Sequence, residues 1–96
     1  MVKVPVVNRK EYTMYLEMYD GFLWFHTDVF KWTPATKTKY LEDLHLLQAL
    51  TEVPLVALVE ETDKKLAKFA NKIGFEYQQP CIGQDKKMYH IYSRGL

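Results

Sequence analysis

The sequence predicts an α+β domain, a mixed sheet of about six strands with two main helices packed on it. Three observations carry that expectation. Aromatic and β-branched runs flank Asp20-Gly21, a dipeptide that favours a two-residue hairpin turn. Apolar residues recur at helical spacing between Pro34 and Thr51, and again between Leu66 and Ile73. The continuous apolar run Pro54-Leu-Val-Ala-Leu-Val59 lies between these stretches and reads as a strand. The resulting strand-helix-strand unit from Leu23 to Val59 requires a parallel pair with a right-handed crossover.

Each element follows from local chemistry. Met1 to Val7 is β-branched and interrupted by Pro5, which suits an edge strand because proline cannot donate a ladder hydrogen bond. Glu11 to Phe30 reads as an antiparallel hairpin, its two-residue loop setting Tyr19 opposite Phe22 and Glu17 opposite Trp24. The same residues also allow a helix from Arg9 to Tyr19, with Asn8 and Glu11 as a capping box and Tyr12, Tyr15, Leu16 and Tyr19 on one face.

Thr33 offers an N-cap oxygen and Pro34 suits the first helical position. Tyr40, Leu41, Leu44, Leu47 and Leu50 then give the stripe of a helix from about Pro34 to Thr51. Pro54 to Val59 is the pattern of a strand buried on both faces. Thr62 or Asp63 caps a second helix that turns Leu66, Phe69, Ala70 and Ile73 inward, and Gly74 closes it in a left-handed conformation. Lys64, Lys68 and Lys72 form its solvated row. Phe75 to Ile82 and Met88 to Ser93 are two closing strands joined through Gly83 to Lys87. Leu44, Leu47, Val56, Leu58, Leu66, Phe69 and Ile73 are expected to share one core.

Composition narrows the function classes. With 96 residues, 48% of them apolar, and only four Gly and four Pro, the chain is expected to form one domain over residues 1–96 rather than a disordered or low-complexity segment. Thirteen Lys plus Arg oppose twelve Asp plus Glu, so no basic field points to a nucleic-acid partner. Cys81 stands alone and no Cys/His set has zinc spacing, which suits a cytoplasmic protein with no metal. The longest apolar run, Val53 to Val59, is too short to span a bilayer, and no membrane association is expected.

From Leu23 onward the chain resembles the GNAT superfamily of N-acetyltransferases, in element order and in the helix that runs through Lys65-Leu-Ala-Lys-Phe-Ala-Asn-Lys-Ile-Gly-Phe-Glu-Tyr77 into a Gly-Phe pair. The segment Trp24-Phe-His-Thr-Asp-Val-Phe-Lys-Trp32, leading into Thr33-Pro34, looks especially like short GNAT-like proteins encoded by bacteriophages. The resemblance implies a GNAT-like sheet abbreviated at its N-terminal side and, for an enzyme, acetyl-CoA as cofactor. Two departures bear on that activity. Family enzymes carry a glycine-bearing loop that lets backbone N–H groups approach the coenzyme pyrophosphate, whereas Lys31 to Thr38 contains no glycine and adds Pro34 and Trp32. In many members a tyrosine four residues before the Gly-Phe glycine acts as general acid; the matching residue is Ala70.

If a site exists, it belongs at the carboxyl ends of the parallel strands, near Phe30-Lys31-Trp32 and Val59-Glu60-Glu61. Glu60 and Glu61 are candidate general bases, against the plainer role of exposed carboxylates favouring the next helix N-terminus. Asp28 is a third candidate, with His26 on the same strand face. Thr33, Thr36 and Lys37 are weak candidates for holding an anion. His45, His90 and Cys81 read as structural residues. Tyr15, Tyr19, Phe22, Trp24 and Trp32 are the candidate interaction residues, because so many aromatic side chains cannot all enter so small a core.

The expected function is therefore a noncatalytic GNAT-like interaction protein, encoded by a phage and binding a host protein in the host cytoplasm, with no cofactor. The alternatives are a small acyltransferase using acetyl-CoA and a virion-associated structural subunit. The aromatic surface would equally serve a homodimer.

Overall fold

The computed structural model describes residues 3–95. Its elements are β1 (Val4–Asn8), β2 (Tyr12–Tyr19), β3 (Phe22–Val29), α1 (Pro34–Thr51), β4 (Leu55–Glu60), α2 (Lys64–Lys72), β5 (Glu76–Ile82) and β6 (Met88–Arg94). The six strands form one sheet in the order β1-β2-β3-β4-β6-β5. β3 and β4 run parallel and the remaining neighbours antiparallel. This is the expected α+β architecture; Met1 and Val2 of the expected first strand lie outside the described residues.

The hairpin reading of Glu11 to Phe30 holds and the helix alternative does not. Tyr19 pairs with Phe22 and Glu17 with Trp24. Asp20 and Gly21 both adopt positive φ, 52° and 78°, as the tight turn between right-twisted strands demands. Both sheet edges carry proline and an irregularity in register: β1 holds Pro5 with its shift before Val7, and β5 holds Pro80 with its shift after Tyr77. These features blunt edges that would otherwise recruit further strands.

Thr33 caps α1 through its side chain, and Pro34 occupies the first turn. Asp63 caps α2 by accepting from the Leu66 N–H at 3.0 Å. Gly74, at φ 94°, turns the chain out of α2, and Phe75 N–H bonds back to Ala70 O at 2.9 Å. Arg94 lays its guanidinium on the same end, Nε donating to Ile73 O at 3.0 Å.

Strand alternation sorts the sheet into two unequal faces. Tyr12, Met14, Phe25, Leu55, Val59 and Tyr92 point to one side and form a single core with Tyr40, Leu44 and Leu47 of α1 and with Ala70, Ile73 and Phe75. Both helices therefore lie on that side. The other face of β2–β6 is covered by no element among the described residues.

This one-sidedness corrects several sequence expectations. β4 is not buried on both faces: Leu58 points to the uncovered side and is 42% exposed. Val56 is buried, yet on that opposite face rather than in the helix-side core. Leu66 lies at the margin of α2 and is 38% exposed, while Phe69 is only partly buried. Leu50 is also exposed, because ten residues of helix turn it about 80° away from the line of Tyr40. Leu44, Leu47 and Ile73 are buried as expected.

Candidate functional site

β3 and β4 pair only at Leu23 with Leu55 and at Trp24 with Val56. Beyond those pairs, toward their carboxyl ends, no further pairing joins them. A cavity of about 210 Å³ opens there, walled by Phe25 and Thr27 of β3 and Ala57 and Val59 of β4, with Phe69 and Ala70 of α2 beside it. Open α/β sheets collect ligands at the carboxyl ends of such strands.

The turn leading out of β3 is closed by its own side chains. The Trp32 ring sits edge-on to Tyr40 and Phe69, with centroids 5.5 and 5.2 Å away, and Tyr40 is edge-on to Phe69 and to Tyr12. Four rings thereby join β2, the turn, α1 and α2. Tyr40 is fully buried and its hydroxyl has no partner. Burial pushes its pKa up to about 12.

The first turn of α1 is similarly committed. The Thr36 N–H donates to Thr33 Oγ1 at 3.1 Å, Lys37 N–H donates to Thr33 O at 2.8 Å, and Pro34 has no donor. Of Pro34, Ala35 and Thr36, only Ala35 keeps a backbone N–H to offer an anion. Thr36 is 3% exposed and its hydroxyl bonds that of Thr33. Lys37 is exposed. This turn does not fit a coenzyme pyrophosphate: it lacks both the row of free donors and the glycines that allow close approach.

The candidate carboxylates stand apart from this cluster. Asp28 projects from the uncovered face and accepts from the Tyr15 hydroxyl at 2.9 Å, which raises the Tyr15 pKa. His26 does not pair with Asp28; its Nε2 lies 2.9 Å from Glu17 across the hairpin. Glu60 lies 3.7 Å from Lys87 Nζ, and Glu61 lies 3.5 Å from His90 Nε2. Among the described residues no group of three or more His, Cys, Asp or Glu could hold a metal ion, and no helix is long and apolar enough to cross a membrane.

Four of the five candidate interaction residues converge. Tyr15, Tyr19, Phe22 and Trp24 all project from the uncovered face, whereas Trp32 lies across the sheet among the helices. Phe22 and Trp24 meet edge-on at 6.4 Å, and Trp24 Nε1–H donates to Tyr19 O at 3.1 Å. Tyr19, Phe22 and Trp24 form one bank of an apolar trough of about 710 Å³ whose floor and far bank include Val56, Ile91, Ser93 and Gln79. Ser93 is 5% exposed and its hydroxyl has no partner. Sequence reasoning missed Val56, Ile91 and Ser93 as members of this surface. The alternation of β4 and β6 was the available signal, but its meaning depends on which face the helices leave open.

The strand order, the lone parallel pair that separates beyond its start, and the two helices on one face define a GNAT-like α+β fold. No family model matches the sequence, and no curated protein matches it significantly. Among solved structures the chain is similar to one from Bordetella pertussis assigned as a GnaT-family acetyltransferase. The TM-score is 0.68 at 12% identity, over 88% of this chain and 57% of that one. The chain thus spans little more than half the length of that protein. At this identity the likeness is one of fold.

Proposed function

We propose that this chain is a noncatalytic protein-binding module built on a GNAT-like sheet, and that the uncovered sheet face is its binding surface. The observation that carries the reading is the convergence of Tyr15, Tyr19, Phe22 and Trp24 on one face that no described element covers. Tyrosine and tryptophan supply large, stiff contact area and dominate protein-binding hot spots. The closed turn at Trp32 and Thr33 supports the absence of a cofactor, because an acyl-CoA would have to displace the protein's own side chains. The resemblance to phage-encoded proteins extends the proposal to a host protein as partner, met in the host cytoplasm.

Capture from a host lysate should compare the native chain with Phe22→Glu, an exposed position whose substitution leaves the core intact. One partner retained by the native chain and lost with the variant is the expected result. Equal capture by both would remove this face from the account. Co-purification with virions, again lost in the variant, would assign the same face to a structural subunit.

A second reading, a small acyltransferase, is favoured by the separation of β3 from β4 and the cavity between them. In that case Asp28, Glu60 or Glu61 would act as base, and Thr33, Thr36 and Lys37 would have to reach acetyl-CoA.

A further inference from the structure

We infer that the occupant of the open face is an amphipathic helix flanked by Lys and Arg, donated by a partner protein; this rests on the binding-surface reading above. The strand register fixes which side chains border the trough. The face positions are Thr13, Tyr15, Glu17 and Tyr19 on β2, Phe22, Trp24, His26 and Asp28 on β3, and Val56, Leu58 and Glu60 on β4. β6 adds Tyr89, Ile91 and Ser93, and β5 adds Glu76, Gln79 and Cys81.

Four of these positions are carboxylates and none is Lys or Arg; the cations that reach the face are Lys3, whose Nζ lies 4.5 Å over the Tyr15 ring, and Lys87, 3.7 Å from Glu60. Glu17 stands beside Trp24, Glu76 stands beside Ser93, and Asp20 adds a further carboxylate at the hairpin tip. No Lys or Arg among the described residues lies within salt-bridge distance of Glu17, Asp20 or Glu76. With a net charge of +1 for the whole chain, the balancing positive charge must lie elsewhere. Much of it is on α2, where Lys64, Lys65, Lys68 and Lys72 project from the helix with no acidic residue in its nine positions. The open face is net acidic, five carboxylates with Asp20 against Lys3 and Lys87, and α2 across the sheet is basic.

That polarity selects among occupants. Two open faces pairing about a two-fold axis would set these carboxylates against one another, so a second copy is disfavoured. A nucleic acid or an anionic lipid surface meets the same repulsion. A basic partner gains at Glu17, Asp20 and Glu76, which no Lys or Arg among the described residues pairs with, while its apolar stripe fills the trough over Trp24, Val56 and Ile91. A helix is the matching shape because around the trough, where Trp24 and Val56 still pair, the backbone groups of the inner strands are already bonded and side-chain packing is the available contact; the β3–β4 separation lies beyond it. From β2 to β5 the face spans four inter-strand steps, about 19 Å, which a helix of about 13 residues covers.

The test uses two fluorescein-labelled 14-residue amphipathic peptides with the same leucine stripe, one flanked by Lys and Arg, the other by Glu. Anisotropy at low and moderate salt gives affinity, and the two indole N–H resonances report location. The basic peptide should bind at least tenfold tighter than the acidic one and weaken as salt rises. It should shift the Trp24 indole but not that of Trp32. The double variant Glu17→Gln, Glu76→Gln, checked for native-like denaturation, should reduce the preference below threefold. Equal affinity for both peptides at the Trp24 face would sink the charge argument and leave the binding surface standing. Failure of the basic peptide to bind, or shifts confined to Trp32, would overturn the helix proposal outright. Titration with acetyl-CoA in parallel separates the two levels: shifts around the β3–β4 cavity would remove the noncatalytic reading itself, whatever the peptides do.

Discussion

Removing a single oxygen from each of two tyrosines packed edge to face should change stability in opposite directions. Tyr12 and Tyr40 are both fully buried and their rings meet at 4.8 Å. The Tyr12 hydroxyl donates to Asp43 Oδ2 at 2.5 Å, a charge-assisted bond, whereas the Tyr40 hydroxyl has no partner. The nearby Thr27 hydroxyl donates to Thr13 O at 3.0 Å and makes no hydrogen bond with the Tyr40 hydroxyl. A buried polar group left unsatisfied costs about 1 to 3 kcal/mol, so Tyr40→Phe should be neutral or stabilising by about 1 kcal/mol. Tyr12→Phe loses a hydrogen bond to a charged acceptor, worth about 1.5 to 3 kcal/mol, with the low end expected because Arg9 still holds Asp43. For a domain of this size each kcal/mol moves the melting temperature by about 4 to 8 °C. Urea denaturation with unchanged m values would measure both. Loss of more than about 1 kcal/mol in Tyr40→Phe would show that its hydroxyl is satisfied and refute the reasoning.

Other outcomes follow from the same packing. Phe75→Ala, at a side chain 1% exposed and packed on Phe25 at 5.5 Å, should cost about 3 to 5 kcal/mol; Phe69→Ala, only partly buried, should cost less, and the reverse order in denaturant midpoints would contradict the assigned core. The hydrogen bond from Arg9 holds the Asp43 carboxyl below its usual range, so its contribution is complete above the unfolded value of about pH 4 and drains away as pH falls through the folded value. Asp43→Asn should therefore flatten the acid limb of a stability–pH curve, and an unchanged limb would show that the carboxylate adds nothing. Gly74→Ala forces a side chain into φ 94° with its Cβ 3.0 Å from Arg94 Nε, so thermal melting should reveal a loss of more than about 1 kcal/mol, and a neutral result would contradict the left-handed cap.

Most of the architecture was legible because it was written locally. Asp20-Gly21 specifies a turn, Thr33-Pro34 a helix start and Gly74 a helix end, and each does so through backbone conformations its neighbours cannot override. What escaped was the partition of the sheet. Leu58 and Val56 look alike in a continuous apolar run, and only the placement of both helices on one side decides that neither belongs to their core. The ring contacts of Trp32 escaped for the same reason: it remains 38% exposed, but its packing on Tyr40 and Phe69, distant in sequence, depends on where both helices lie. The candidate carboxylates were found by type and position, but their partners, Tyr15, Lys87 and His90, depend on register and loop geometry.

On the proposed noncatalytic reading, the closed turn around Trp32 and Thr33 has no place for acetyl-CoA. Calorimetric titration with acetyl-CoA, followed by a radiolabel transfer assay against host lysate, tests it most directly. Binding weaker than about 1 mM and no labelled product are the expected results. Saturable micromolar binding together with labelled product would contradict that reading and turn attention to Asp28, Glu60 and Glu61.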